Sequence, residues 1–185
     1  MLGLLGPISE KSDNPVSVVV NAVLYGGWSW ACYAFLVGYF RRSKIESALL
    51  APFGLAIGVT TYYLFKDLSL ATPAGMEVDT SSGGSLSKIM VWGTLAFTFG
   101  APVGFLGNVA RIPGLGGLFF RLLIPVIAFY ETSMRLDGEA RGQSAVVLNT
   151  WHTVRFIAAV VAFTLVVQVI WSWWRDHRQA RELRY

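Results

Sequence analysis

The stretch that decides the fold is VVLNTWHTVRFIAAVVAFTLVVQVIWSWW, residues 146–174. Its only Asp, Glu, Lys or Arg residue is Arg155. A helix of about 20 apolar residues is long enough to cross a hydrocarbon core of roughly 30 Å. The stretch therefore predicts a membrane-spanning helix, followed by a strongly charged tail at residues 175–185.

Similar apolar stretches precede it at residues 15–40, 45–65, 89–110 and 115–134. None alternates apolar and polar residues as the strands of a membrane barrel do. A polar loop is predicted over residues 68–87. We therefore expect an all-α, polytopic transmembrane bundle of about five spans that forms a single domain over residues 1–185. A re-entrant pair around the short connection at residues 111–117 would change the number of crossings.

The composition supports this class of protein. Charged residues make up 14% of the chain, whereas a soluble domain contains about 25%. The net charge of +4 comes from basic residues that lie at the ends of the apolar stretches, as the positive-inside rule expects. Because the basic residues have this placement, we do not expect nucleic acid as a partner.

The distribution of lysine and arginine predicts the orientation. With the N-terminus outside, basic residues of the cytoplasmic segments outnumber those of the external segments. The cytoplasmic set is Arg41, Arg42, Lys44, Arg111, Arg121, Arg175, Arg178, Arg181 and Arg184, and the external set is Lys11, Lys66, Lys88, Arg135 and Arg141. We therefore predict a multi-pass membrane protein with a cytoplasmic C-terminus.

Glycines four residues apart are typical of close helix packing in membranes. Gly54 and Gly58 lie in the second span, and Gly100 and Gly104 lie in the third. Packing within the chain is the simpler interpretation. A homo-oligomer or a partner membrane protein that docks on these glycine faces is the alternative.

Glu131 and Arg155 are charges inside predicted spans, where each costs at least about 2.5–3.5 kcal/mol near the bilayer centre. The predicted topology places them at similar depths on consecutive antiparallel helices. His152 lies on the same helix face as Arg155 because it is three residues away. We therefore predict a Glu131–Arg155 ion pair with His152 beside it. The alternative is that the two charged side chains extend toward the membrane surface without pairing.

Aromatic residues are predicted near the same membrane side as this pair: Tyr25, Trp28, Tyr62, Tyr63 and Trp92. One interpretation is an outward-facing pocket, lined by these residues and the charged pair, that binds a small molecule. The other is a structural ion pair that sets the helix register, together with an ordinary aromatic belt.

No complete catalytic, cofactor or metal motif is present, so we expect neither an enzyme nor a cofactor. The single cysteine, Cys32, excludes a disulfide within the chain. The spacing Glu131-x-x-x-Arg135 resembles half of the motif of membrane-embedded prenyl-protein proteases. That motif also needs paired glutamates and later histidines, and here residue 130 is tyrosine.

Four short elements carry a family resemblance: WACYAFLVGYFRR at residues 30–42, GVTTYYLF at 58–65, VWGTLAFTFGAPVGFLGN at 91–108 and FYETSMR at 129–135. In these the chain resembles a family of actinobacterial multi-pass integral membrane proteins built on a domain of unknown function. The resemblance implies that Tyr62, Tyr63, Trp92 and Glu131 mark a shared site, and it implies no activity.

Two functions follow from these observations. The first is the binding of a small molecule, or help in its transport, in the polar and aromatic pocket. The second is that of a non-catalytic membrane subunit or scaffold that packs against partner transmembrane helices.

Overall fold

The computed structural model describes residues 14–24, 26–69 and 83–182, and the side chains within 14–24, 26–64 and 86–175. Every regular element in these ranges is a helix. The helices are α1 (Pro15–Leu24), α2 (Gly27–Phe40), α3 (Lys44–Ser69), α4 (Gly83–Val109), α5 (Leu115–Arg121), α6 (Leu123–Gly138) and α7 (Ala145–Glu182). The predicted all-α transmembrane fold is confirmed.

Four helical stretches in the described ranges are long and apolar enough to cross a membrane: Lys44–Leu64, Leu86–Val109, Leu115–Gly138 and Ala145–Arg175. The third and fourth predicted spans are therefore each long enough to cross separately. Helices α5 and α6 form one of these stretches despite a break at Leu122. Pro125 explains the break, because it lacks the N–H group that would bond to the carbonyl of residue 121.

The first predicted span, residues 15–40, is not one continuous helix. Helices α1 and α2 meet at an angle of 66°, and the pair forms either a broken span or a re-entrant loop. Gly26 and Gly27 follow the break. Helix α2 alone has 14 residues and is roughly 21 Å long, too short to cross the hydrocarbon core. The number of crossings therefore depends on this break rather than on the connection at residues 111–117.

Small residues hold α2, α3 and α4 close together. The buried core here consists of Ala34, Ala51, Leu55 and Ala96. A methyl group on Gly104 would lie 2.5 Å from the carbonyl oxygen of Ser47, and one on Gly38 would overlap the carbonyl of Gly104. Close backbone approach of this kind stabilises helix packing in lipid, where the hydrophobic effect contributes little.

The predicted glycine faces are used for packing within the chain. Gly54 faces Tyr33 and Gly58 faces Trp30, while Gly100 faces Pro52. These three glycines therefore pack against other helices of the chain, and docking of a partner or a second copy stays a prediction.

Polar contacts fasten the end of the bundle where α2 and α4 end. The carbonyl oxygen of Arg41 accepts hydrogen bonds from Asn108 Nδ2 at 2.6 Å and from Arg111 Nη1 at 2.9 Å. Arg121 Nε donates to the carbonyl of Ala110 at 2.8 Å. Three residues of the predicted cytoplasmic set, Arg41, Arg111 and Arg121, thus share one end, which we call the basic end.

The remaining helices form a second layer. Helix α7 packs along α6 and also contacts α1, while α2 connects the layers through its contact with α6. In the described ranges α4 and α6 do not pack against each other. A space between them therefore remains, with α2 behind it.

Candidate functional site

The site begins at the break between α1 and α2, because a helix that starts inside a bundle exposes backbone N–H groups. Glu131 on α6 binds two of them. Its Oε1 accepts a hydrogen bond from the N–H of Gly27 at 2.9 Å, and its Oε2 accepts one from the N–H of Trp28 at 2.8 Å. A carboxylate is favoured here because the N-terminus of a helix carries partial positive charge. The intramembrane acid predicted from the sequence is thus an N-terminal cap of α2.

Side chains of α2 bind two further backbone groups beside the break. Trp30 Nε1 donates to the carbonyl of Leu24, the last residue of α1, at 3.0 Å. Ser29 Oγ donates to the carbonyl of Gly26 at 2.7 Å. In the hydrocarbon region an unsatisfied backbone group costs several kcal/mol. These contacts allow a non-helical joint to lie within the bundle.

The depth of this cap can be estimated from two helices. Glu131 lies roughly 10 Å before the C-terminal end of α6, and Gly27 lies roughly 20 Å from the basic end along α2, at 1.5 Å per residue. For a hydrocarbon core of roughly 30 Å, both values place the cap about 10 Å inside the membrane boundary, on the side opposite the basic end.

The cationic partner of Glu131 is Arg135, one turn later on α6. Arg135 Nε and Nη2 each donate to Glu131 Oε1 at 3.1 Å. The two side chains are 26% and 22% exposed. Arg135 Nη1 also lies 3.4 Å from Glu139 Oε2, and the guanidinium lies 5.8 Å from the ring centre of Trp151.

The predicted Glu131–Arg155 ion pair is therefore wrong. Arg155 Nη2 lies 3.3 Å from His152 Nδ1 on its own helix, and His152 is exposed. Glu131 and Arg135 are four residues apart on one helix, so they face each other however the neighbouring helix is rotated. A pair between helices also requires the right rotation of both helices, which depth alone does not provide.

A cavity of about 750 Å³ lies beside the cap. It is lined by residues of α1, α2, α3, α4 and α6: Leu24, Gly27, Trp30, Ala31, Ala34, Leu55, Val59, Tyr62, Tyr63, Trp92, Leu95, Ala96, Phe99, Gly100, Val103, Ile127, Glu131 and Arg135. We call it the α2–α4–α6 cavity. Its volume is in the usual range for small-molecule sites.

Of the predicted ligand-binding residues, Glu131, Tyr62, Tyr63 and Trp92 line this cavity. Trp28 contributes its backbone N–H to the cap, but its side chain is not among the lining groups. His152 and Arg155 also lie outside the lining, and Tyr25 lies outside the described residues. The structure thus brings together the tyrosines, the tryptophan and the acid, and leaves the α7 residues apart.

Two site residues were missed as ligands of the site, although the sequence contained a signal for each. Arg135 follows Glu131 at the spacing of a helical ion pair, but from the sequence this spacing is interpreted only as part of a protease motif, and Arg135 is counted in the external basic set. Gly26-Gly27 in the middle of a predicted span is a plausible helix break, since glycine weakens a helix interior. Recognising the break would have explained the need for a capping acid.

The site contains no recognisable metal centre. In residues 14–24, 26–69 and 83–182, no group of three His, Cys, Asp or Glu side chains is placed to hold an ion.

The indole N–H of Trp151 is buried and has no hydrogen-bond partner among the described residues. Its ring lies 5.8 Å from the Arg135 guanidinium, and Trp151 is not among the residues that line the cavity.

Comparison with known proteins adds no identification: no family model, no curated protein and no solved structure matches this chain. The resemblance to the actinobacterial family therefore stays a prediction.

Proposed function

We propose that this membrane protein binds a small molecule in the α2–α4–α6 cavity, either as a binding protein or as a component that helps to transport the molecule. The observation that carries the proposal is the lining. Five helices contribute to it, most of its surface is apolar or aromatic, and its two charged groups, Glu131 and Arg135, lie together. A few convergent polar groups in an apolar cavity are typical of ligand sites.

A purely structural role for Glu131 leaves the cavity unexplained. Capping α2 needs only the carboxylate and the two N–H groups that it binds. A cavity of this size forfeits packing contacts that a closed bundle would make. Occupation by a ligand would restore those contacts.

The proposal is tested by asking what purifies with the protein. The full chain is isolated in native membrane discs, and bound compounds are extracted and identified by mass spectrometry. Val59→Trp fills the cavity, whereas Val160→Trp adds the same bulk to an exposed position of α7. We expect one compound to be enriched with the wild type and Val160→Trp and lost from Val59→Trp. Equal recovery from all three proteins would overturn the proposal.

We further propose that the protein lies in the bacterial plasma membrane with its C-terminus in the cytoplasm. The positive-inside rule supports this orientation, because Arg41, Arg111 and Arg121 share the basic end. The polar end of the cavity would then lie near the outer face. In a Cys32→Ser background, Gln143→Cys should react with an impermeant maleimide in intact cells. Ser43→Cys should react only after permeabilisation, and the reverse pattern would refute this orientation.

A second candidate function, that of a membrane subunit, is favoured by the polar face of α7. Within this span His152 is exposed and Arg155 is only partly buried. An acidic side chain from a partner helix would offset the cost of the arginine in lipid. A photo-crosslinking residue at Phe156, with one at Met90 on α4 as the control, would test it. A discrete protein adduct formed only from position 156 would support a subunit.

A further inference from the structure

The α2–α4–α6 cavity is polar at one end and apolar at the other. Glu131, Arg135, Tyr62 and Tyr63 line the end where α2 begins. The opposite end is lined by apolar residues such as Ala34 and Val103, near the tight contact of α2, α3 and α4. A molecule that satisfies both ends has a polar head and an apolar remainder.

The cavity opens sideways between α4 and α6. These helices do not pack against each other in the described ranges, and two residues of the α4 lining are exposed. Trp92 is 52% exposed and Phe99 is 64% exposed. Phe99 lies roughly 15 Å from the end of α4 at Val109, which is near the middle of a hydrocarbon core of roughly 30 Å. The medium at this depth is lipid chains, so a molecule that passes this opening comes from the bilayer.

The dimensions fit a single hydrocarbon chain. The α4 lining runs from Trp92 to Val103, roughly 16 Å along the helix axis. One leaflet of the hydrocarbon core is about 15 Å deep. A chain that lies along this lining therefore has about the length of a chain in one leaflet, and its end near Val103 lies past the middle of the bilayer.

The headgroup is constrained by the hydrogen bonds of Glu131. Its two oxygens already accept bonds from Gly27, Trp28 and Arg135, so its charge is compensated. The contact of Arg135 with Glu139 is 3.4 Å long, and the Glu139 side chain is 56% exposed. This long and exposed contact is one that a headgroup can replace. Glu131 then holds the guanidinium in place, while Arg135 donates to the ligand.

We propose that the ligand is a single-chain amphiphile that comes from the bilayer between α4 and α6, lays its chain along Phe99 and Val103, and presents hydrogen-bond acceptor oxygens to Arg135. This inference rests on the proposed function. Both a carboxylate head and an uncharged ester or hydroxyl head offer such oxygens. An ammonium head offers no acceptor oxygen to the guanidinium.

Photolabelling in vesicles tests the inference. The full chain is reconstituted in phosphatidylcholine with a small fraction of a diazirine-bearing palmitic acid, and labelled peptides are mapped by mass spectrometry. The α7 peptide around Val160 and Phe163 reports labelling by the surrounding lipid, since both residues are exposed. We expect labelling near Phe99 and Val103 to saturate and to be displaced by oleate or monoolein, while α7 labelling is not displaced.

The headgroup contact is tested with Arg135→Gln and with Arg155→Gln as the matched control. Losing a charged hydrogen bond should raise the oleate concentration for half-displacement roughly tenfold in Arg135→Gln. Arg155→Gln should leave it unchanged. If Arg135→Gln does not fold, the test uses Val59→Trp, which fills the cavity, and Val160→Trp, which adds the same bulk to an exposed position of α7. Only Val59→Trp should abolish the displaceable labelling.

Displacement by oleate alone supports an anionic head, and equal displacement by monoolein supports an uncharged one. Equal displacement by oleylamine overturns the headgroup assignment. If the cavity holds a co-purified compound but oleate and monoolein do not compete, the amphiphile inference is wrong and the proposed function stands. If Val59→Trp changes neither the co-purified compounds nor the labelling, both are wrong.

Discussion

Replacing Glu131 by alanine is the most informative perturbation of this structure. The change removes the acceptor of the Gly27 and Trp28 N–H groups and the partner of Arg135. Loss of an N-cap costs about 1 kcal/mol, and loss of the helix-dipole interaction costs about 0.5 kcal/mol. A partly exposed ion pair contributes about 1 kcal/mol or less. We therefore expect a loss of about 2 kcal/mol if water reaches the break.

The size of the stability loss in Glu131→Ala also shows whether the break is surrounded by water or by hydrocarbon. In dry hydrocarbon each orphaned N–H group costs several kcal/mol, which would raise the loss above about 4 kcal/mol. The assay is reversible unfolding by dodecyl sulfate in mixed micelles, followed by circular dichroism. Glu139→Ala is the matched control. Because this side chain is 56% exposed and makes one long contact, solvent screening should keep its loss below about 0.5 kcal/mol. Equal losses in the two variants would refute the capping role of Glu131.

Three further predictions use the same unfolding assay. Gly104→Ala should destabilise the bundle by about 1–3 kcal/mol, because its methyl group would overlap α3. The control Gly93→Ala, whose methyl group meets no atom within 4 Å, should be neutral or slightly stabilising. Equal effects of the two changes would contradict the close packing at Gly104. A double-mutant cycle of Glu131→Gln with Arg155→Gln should show no coupling free energy. A coupling above about 0.5 kcal/mol would instead show that Glu131 and Arg155 interact between the helices. Asn108→Ala should cost about 1 kcal/mol, because it removes the hydrogen bond to the carbonyl of Arg41, the residue that follows α2. An unchanged midpoint would show that this bond contributes nothing.

The sequence identified several members of the site before the helices were placed. Glu131 was marked by its cost in lipid, and Tyr62, Tyr63 and Trp92 were marked by position near one membrane side. Depth along a span depends only on residue number and helical rise. Residues at one depth on packed helices have a good chance of meeting, and these four line one cavity.

The choice between Arg135 and Arg155 could not be made in this way. Both lie on the predicted side of the membrane, and the prediction gave weight to the arginine deeper in its span. The structure turns Arg155 toward His152 and Arg135 toward Glu131. The rotation of α7 about its own axis decides whether Arg155 faces Glu131. That rotation follows from the packing of α7 on α6 and α1.

The positions of four of the five predicted spans were readable from the amino-acid order alone. Lipid cannot hydrogen-bond to the backbone, so each long apolar stretch must form a helix, and this constraint acts locally. The break at Gly26 and the capping of Gly27 by a residue 104 positions away are different. They depend on which side chain another helix brings to the broken end. The pairing of Glu131 with Arg135 and the open space between α4 and α6 arise only when the helices pack, because packing sets their rotation and spacing.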